Sequence, residues 1–246
     1  MAEQPTADVV IVGGGVAGQV AGMFVARHGF DTAILSSGSP LLRRNAHLEN
    51  FPGFPAGINA RLLLRLMSEQ AERAGCRFVD AEVTRLDSGD EGFTVHTASG
   101  SRWSSEYVIA ATKNEVSYLE HLEDVEILDR GKLFVATDGE GRTDVEGLYI
   151  AGRMARKPHQ AIVAAGHGAE VAVRLLEDDE TPFYRDWVAP ERYFTGRDRE
   201  VPPGCEEIDR AEQRRREQEA IETMAPYFEE PYPEPPEQHP SVDEDS

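Results

Sequence analysis

Residues 9–22 read VVIVGGGVAGQVAG. A short apolar run enters three consecutive glycines, and small residues at helical spacing follow to about residue 28. A second apolar run, at 32–35, completes a strand–helix–strand start. Gly13, Gly15 and Gly18 satisfy the spacing G-x-G-x-x-G, and Gly22 extends it. At such a junction the first glycine permits a tight turn and the second lets a diphosphate approach the backbone. The third lets the helix lie close on the strand, while the helix start aims free amides at the anion. Glycines serving packing alone would also give this spacing. The strand before and the helix after make an adenine dinucleotide site the stronger reading. Which dinucleotide stays open: an acidic residue about 20 positions on normally binds the ribose hydroxyls, but here the second strand ends at Ser36. With Arg43 and Arg44 nearby, a 2′-phosphate and hence NADP is a second possibility.

Working outward, residues 58–74 form an amphipathic helix, with Leu62, Leu63, Leu66 and Met67 on one face. Strands are expected at 82–86, 92–97 and 101–103, joined by glycine-containing turns into an antiparallel meander. A further buried strand follows at 107–111. Residues 113–144 make only a short connector, with a small helix near 118–122 and a strand at 133–136. A strand at 148–151 and a helix at 158–176 finish the core. The fold class expected is α/β: a Rossmann-like domain over 1–180, with a central parallel sheet and a three-stranded antiparallel meander. A C-terminal extension follows over 181–228, carrying a charged helix at 209–224. Residues 229–246 have no Lys or Arg and many acids and prolines, a composition that predicts disorder.

The 246 residues, 40% of them hydrophobic, suffice for one sizeable core. Asp and Glu number 45 against 25 Lys and Arg, a net charge of −20. Only Lys113, Lys132 and Lys157 are lysines. Such a charge opposes binding to nucleic acid or anionic lipid, and acid excess with scarce lysine is similar to the composition of proteins from salt-loving archaea. No apolar run reaches the ~20 residues that span a bilayer, and no signal-type segment is present, so a cytoplasmic location is expected. Cys76 and Cys205 form no C-x-x-C pair, and no metal site is expected.

Residues 47–61, HLENFPGFPAGINAR, resemble the low-molecular-weight thioredoxin reductases and their FAD-binding relatives. The resemblance continues through 70–87, QAERAGCRFVDAEVTRLD, through FTVHTASG at 93–100, and through VIAAT at 108–112, in the place of the family's I-I-A-T-G. It resumes with RTDVEGLYIAG at 142–152 and HQAIVAAGHGAEVA at 159–172. This implies FAD rather than NADP, held by Gly13, Gly15, Val16, Ala17, Gly18, Ser36, Val83, Thr112, Gly152, Arg153, His159, Gln160 and Ala161. It further implies a helix starting at Pro158, whose amides at 159–161 face the flavin's pyrimidine edge.

The family's second nucleotide domain, with its C-x-x-C pair, is reduced here to the 113–144 connector. The resemblance therefore implies a flavin-dependent oxidoreductase that is not a dithiol disulfide reductase. Its electrons would come from a separate donor protein or from diffusing NAD(P)H, and the family's habit implies a homodimer. A non-catalytic FAD- or NADP-binding module is the alternative. Three positions depart from the pattern: Ser36 for the ribose-binding acid, Lys113 for a glycine, and Arg153 for an aspartate that bonds the ribityl chain. Arginine has donors only and would instead pair with a diphosphate oxygen. His47 and His159, expected near the ring, are candidate proton donors.

Overall fold

The structure, a computed structural model, describes residues 4–179, 185–239 and 241–242. Two units are distinguished. The first comprises the described residues within Met1–Asp178 and Pro235–Ser246, the second those within Asp179–Glu234. The expected boundary at 180/181 falls outside the described residues.

In the first unit, β1 (Val9–Val12), α1 (Val16–Arg27) and β2 (Thr32–Ser36) make the strand–helix–strand start. Then come α2 (Ala60–Arg73), β3 (Arg77–Asp80), and the strands β4 (Val83–Gly89), β5 (Gly92–Thr97) and β6 (Arg102–Ser105). β7 (Tyr107–Ala110), a short hairpin of β8 (Ile127–Asp129) and β9 (Leu133–Val135), β10 (Leu148–Ile150) and α3 (Ala161–Asp178) complete it. The main sheet has the order β10-β7-β1-β2-β3, all parallel, with β1 central. β4, β5 and β6 form the expected antiparallel meander. The edge strand β3 was not evident from sequence, because RFVD is half polar and its burial is partial.

A strand covered on both faces must be apolar throughout, and all four residues of β1 are at most 3% exposed. Their alternation assigns them to two layers. Val9 and Ile11 pack with Ile34, Ile109 and the residues of α1 and α3. Val10 and Val12 pack with the meander's Phe93, Val95 and Trp103 and with Tyr118, Leu119 and Leu122 of the connector. The 113–144 connector thus closes one face of the core.

The other face depends on backbones in near contact. A Cβ at Gly18 would stand 1.9 Å from the Gly13 carbonyl oxygen, so α1 can start beside β1 only with glycine there. A Cβ at Gly168 would stand 2.3 Å from the Ala17 carbonyl oxygen, which fixes how closely α3 crosses α1. In the second unit, β11 (Trp187–Pro190) and β12 (Cys205–Ile208) pair in parallel, and α4 (Arg210–Met224) carries no buried residue. Its Arg–Glu pairs, such as Arg216 with Glu206 and Glu212, lie on a solvated surface.

The two glycines of α3 that stand one residue apart give opposite expectations. Gly166 is exposed, with nothing within 4 Å of a Cβ, so Gly166→Ala removes only a helix penalty and raises stability by about 0.5–1 kcal/mol. Gly168→Ala forces α3 off the Ala17 backbone and costs about 3 kcal/mol, the upper end for overpacking. Thermal denaturation of the two variants beside the parent measures both signs.

Candidate dinucleotide-binding cleft

The C-terminal ends of β1, β2 and β7 open into a cleft of about 820 Å³, within the ~300–1,000 Å³ range of small-molecule sites. Gly13, Gly15, Val16 and Ala17 form its floor, as the fingerprint requires. Gly13 adopts φ 113°, which excludes most side chains. Gly15 has no atom within 4 Å of a would-be Cβ. Its bareness therefore serves no contact inside the protein; it leaves room in the cleft. The end of α1 points the same way. α2 is capped by Asn59, which accepts from the amides of Arg61 and Leu62, and α4 by Asp209, which accepts from Ala211 and Glu212. α1 begins at Gly15 with no side-chain cap. Its first-turn amides, which a buried helix end must satisfy somehow, face the cleft and suit a diphosphate. Gly18 and Gly152 do not line the cleft; they act beneath it, Gly18 against Gly13 and Gly152 against the Ala17 side chain.

One wall is the loop after β2, with Ser36, Ser39, Leu42 and Arg44 along it. Arg61 holds this loop from inside. At 2% exposed, it donates to the carbonyls of Arg43, Asn45 and Ala46 at 3.2, 2.6 and 3.3 Å. Sequence reasoning missed this role, although a cation in the first turn of a helix is electrostatically misplaced and so signalled another task. His47 is not among the cleft-lining residues; its Nε2 pairs with the Ala56 carbonyl at 3.2 Å. Asn50, just before Phe51, does line the cleft and donates to Gln160 Oε1 at 2.8 Å. Val83, at the start of β4, lines the opposite wall.

The far end carries the departures noted from sequence. Lys113 sits at φ 67°, the left-handed conformation that the family's glycine adopts freely. Arg153 lines the cleft and is steadied by Asn114, whose Oδ1 accepts from its Nε at 3.2 Å. Asn114 in turn donates to the Leu133 carbonyl at 2.7 Å, so the connector's hairpin holds the arginine. Thr112 is less free than expected: its hydroxyl lies 2.6 Å from the Glu115 carbonyl and 2.9 Å from the hydroxyl of fully buried Tyr118. Burial, followed by Arg44, Lys132 and Arg153, pushes the Lys113 ammonium below its usual range. Burial, followed by Arg153, Lys113 and Lys132, does the same to His159. A histidine so placed is neutral at pH 7 and suited to accept a proton rather than to act as a cationic donor.

α3 starts at Ala161, three residues later than the proline suggested. Pro158 sets a turn in which the Gln160 amide donates to its carbonyl at 2.9 Å, so that amide is already used. Ala161 lines the cleft together with His159 and Gln160. Among the described residues no group of three or more His, Cys, Asp or Glu could hold a metal, and no helix is long and apolar enough to cross a membrane.

Comparisons with known proteins agree with this geometry. Residues 8–47 match the family model described as FAD binding domain. Thioredoxin reductase of Aquifex aeolicus is 33% identical over 107 residues, covering 43% of this chain and 33% of the relative. That of Rickettsia felis is 26% identical over 192 residues, covering 77% and 61%. The chain therefore spans less than two thirds of the length of either relative. Among solved structures, a thioredoxin reductase from Gloeobacter violaceus superposes with TM-score 0.65 at 20% identity, over 75% of this chain and 100% of that one. A ferredoxin-flavin thioredoxin reductase from Clostridium acetobutylicum does so with TM-score 0.58 at 17% identity, over 72% and 99%. These matches bear out the thioredoxin reductase-like, FAD-binding α/β fold expected from the sequence.

One buried group beneath the cleft makes stability pH-dependent. His167, 4% exposed, accepts from the Gly152 amide through Nδ1 at 2.9 Å. Burial, with Lys157 adding to it, pushes its pKa down to about 4. A histidine in the unfolded chain titrates near ~6.5. Between these values the unfolded state binds a proton that the native state does not, so stability present above pH 6.5 is lost as pH falls towards 4. Denaturation free energies at pH 7 and pH 5 should show this fall, and His167→Gln should remove a one-proton component of it.

Proposed function

We propose that the cleft holds FAD and that the chain is a flavin-dependent oxidoreductase supplied with electrons from outside itself. The uncapped start of α1 at Gly15 carries this reading: a helix end left open on a glycine floor, in a cleft of dinucleotide size. Gly13, Gly15 and the first-turn amides of α1 would hold the diphosphate, with Arg153 as an added donor. Ser36 and Val83 would face the adenosine half, and Ala161 with His159 the ring half. When bound, the flavin supplies hydride and single-electron transfer. The residues around it supply field and position. The first-turn amides of α3, the partial positive charge of that 18-residue helix, and Arg153 stabilise a group that gains negative charge in the cleft. His159, kept neutral, can take up a proton there.

The same reading sets disulfide reduction by an internal dithiol aside: Cys76 is buried among core residues, and the 246 residues hold no C-x-x-C pair. The short 113–144 connector carries no second glycine fingerprint. The reductant is then a separate protein or diffusing NAD(P)H, and the working form a homodimer in the cytoplasm. A chain that holds FAD yet accepts electrons from no donor would be a binding module instead.

Protein purified in high salt should be yellow and release FAD on denaturation. A colourless product that takes up no FAD would sink the proposal. Arg153→Asp should weaken FAD binding about tenfold or more, the cost of exchanging a charge-assisted bond for a repulsion, as read by fluorescence titration. Tighter binding in that variant would remove Arg153 from the diphosphate.

A further inference from the structure

The acidic C-terminal segment, expected to be disordered, meets the loop after β2 within the same unit. Glu237 Oε1 accepts from the Ser39 hydroxyl at 2.5 Å and from Arg43 Nε at 2.5 Å. Its amide donates to the Arg43 carbonyl at 3.1 Å. Ser39 and the neighbouring Arg44 line the cleft. This is the loop that follows the second strand of a dinucleotide fold, where an acid takes ribose hydroxyls or an arginine takes a 2′-phosphate. Ser36 leaves the ribose acid absent, and Ser39 and Arg44 in the cleft wall, with Arg43 between Leu42 and Arg44 on the same loop, are donors of the kind that a 2′-phosphate needs. One of the chain's own carboxylates is seated on two of them.

We propose that Glu237 is a specificity-determining residue: its carboxylate occupies the Ser39–Arg43 anion subsite and thereby excludes dinucleotides that carry a 2′-phosphate. The exclusion follows from charge. The Ser39 hydroxyl proton and the Arg43 Nε–H are both given to Glu237, and a phosphate entering beside that carboxylate would meet a like charge, a repulsion that discriminates against it. FAD has no phosphate at this position, so the tail leaves it unhindered. NADP(H) is the class turned away. The proposal rests on the cleft's being a dinucleotide site, but not on which dinucleotide fills it.

The test compares two probes that differ only in the 2′-phosphate: adenosine 5′-monophosphate and adenosine 2′,5′-bisphosphate. Each is titrated calorimetrically into the full-length chain freed of flavin, at one fixed ionic strength. In the parent the monophosphate should bind at least as tightly as the bisphosphate. In Glu237→Gln, and in a chain truncated before Pro235, the ratio should move towards the bisphosphate by about tenfold or more, the worth of a charge-assisted phosphate contact. Arg43→Ala in the Glu237→Gln background should abolish that gain. An unchanged ratio, or an equal loss for both probes, would overturn the proposal, the latter showing a tail that merely braces the loop. FAD titrated in parallel separates the two readings. Loss of FAD binding in the parent with a shifting ratio defeats the cofactor reading alone. Retained FAD with a fixed ratio defeats the specificity reading alone.

Discussion

The cleft exists because three backbones come together around Ala17. Gly152 lies against its side chain and Gly168 against its carbonyl oxygen, while Gly18, one residue on, touches the Gly13 carbonyl. No side chain fits into any of these gaps, so the distances from β1 to α1 and from α1 to α3 are set by glycine. Both helix starts then lie at the ends of the parallel strands. The first residues of α1 and α3 line the same cleft. Packing energy from β1, buried on both faces, holds the approach closed.

Electrostatics set the cleft apart from the rest of the molecule. The chain carries a net charge of −20, yet Arg44, Lys113 and Arg153 line one cavity. Burial first and then the neighbouring cations disfavour the protonated forms of Lys113 and His159. Cations that repel one another in a partly desolvated place are relieved by an anion. The glycine floor and the lining cations therefore favour the same class of ligand by independent means.

The parts legible in the sequence were those in which one residue type answers one geometric demand. The fingerprint glycines, the all-apolar β1 and the glycine turns of the meander each belong to this class. The parts that were not legible depend on contacts distant in sequence. β3 is a half-polar edge strand, and only its pairing with β2 identifies it. Pro158 reads as a helix start, but its carbonyl captures the Gln160 amide and delays α3 to Ala161. His47 lies in the most family-like stretch, yet its ring is spent on the Ala56 carbonyl. The Glu237 contact spans 194 residues and sits in a segment whose composition argues for disorder. Composition reports what a segment can do alone, and Arg43 supplies what it lacks.

Ser36, Lys113 and Arg153 read singly as losses from a known pattern, but the structure gives them a common direction. Each removes an acceptor or adds a donor along one cleft, and Lys113 does so while keeping a glycine's backbone conformation at φ 67°. A residue held in that region costs of order 1 kcal/mol or more. Arg153 is braced by Asn114 from the 113–144 connector. The 113–144 connector therefore helps to build the site, setting a side-chain cation beside the backbone amides of the cleft.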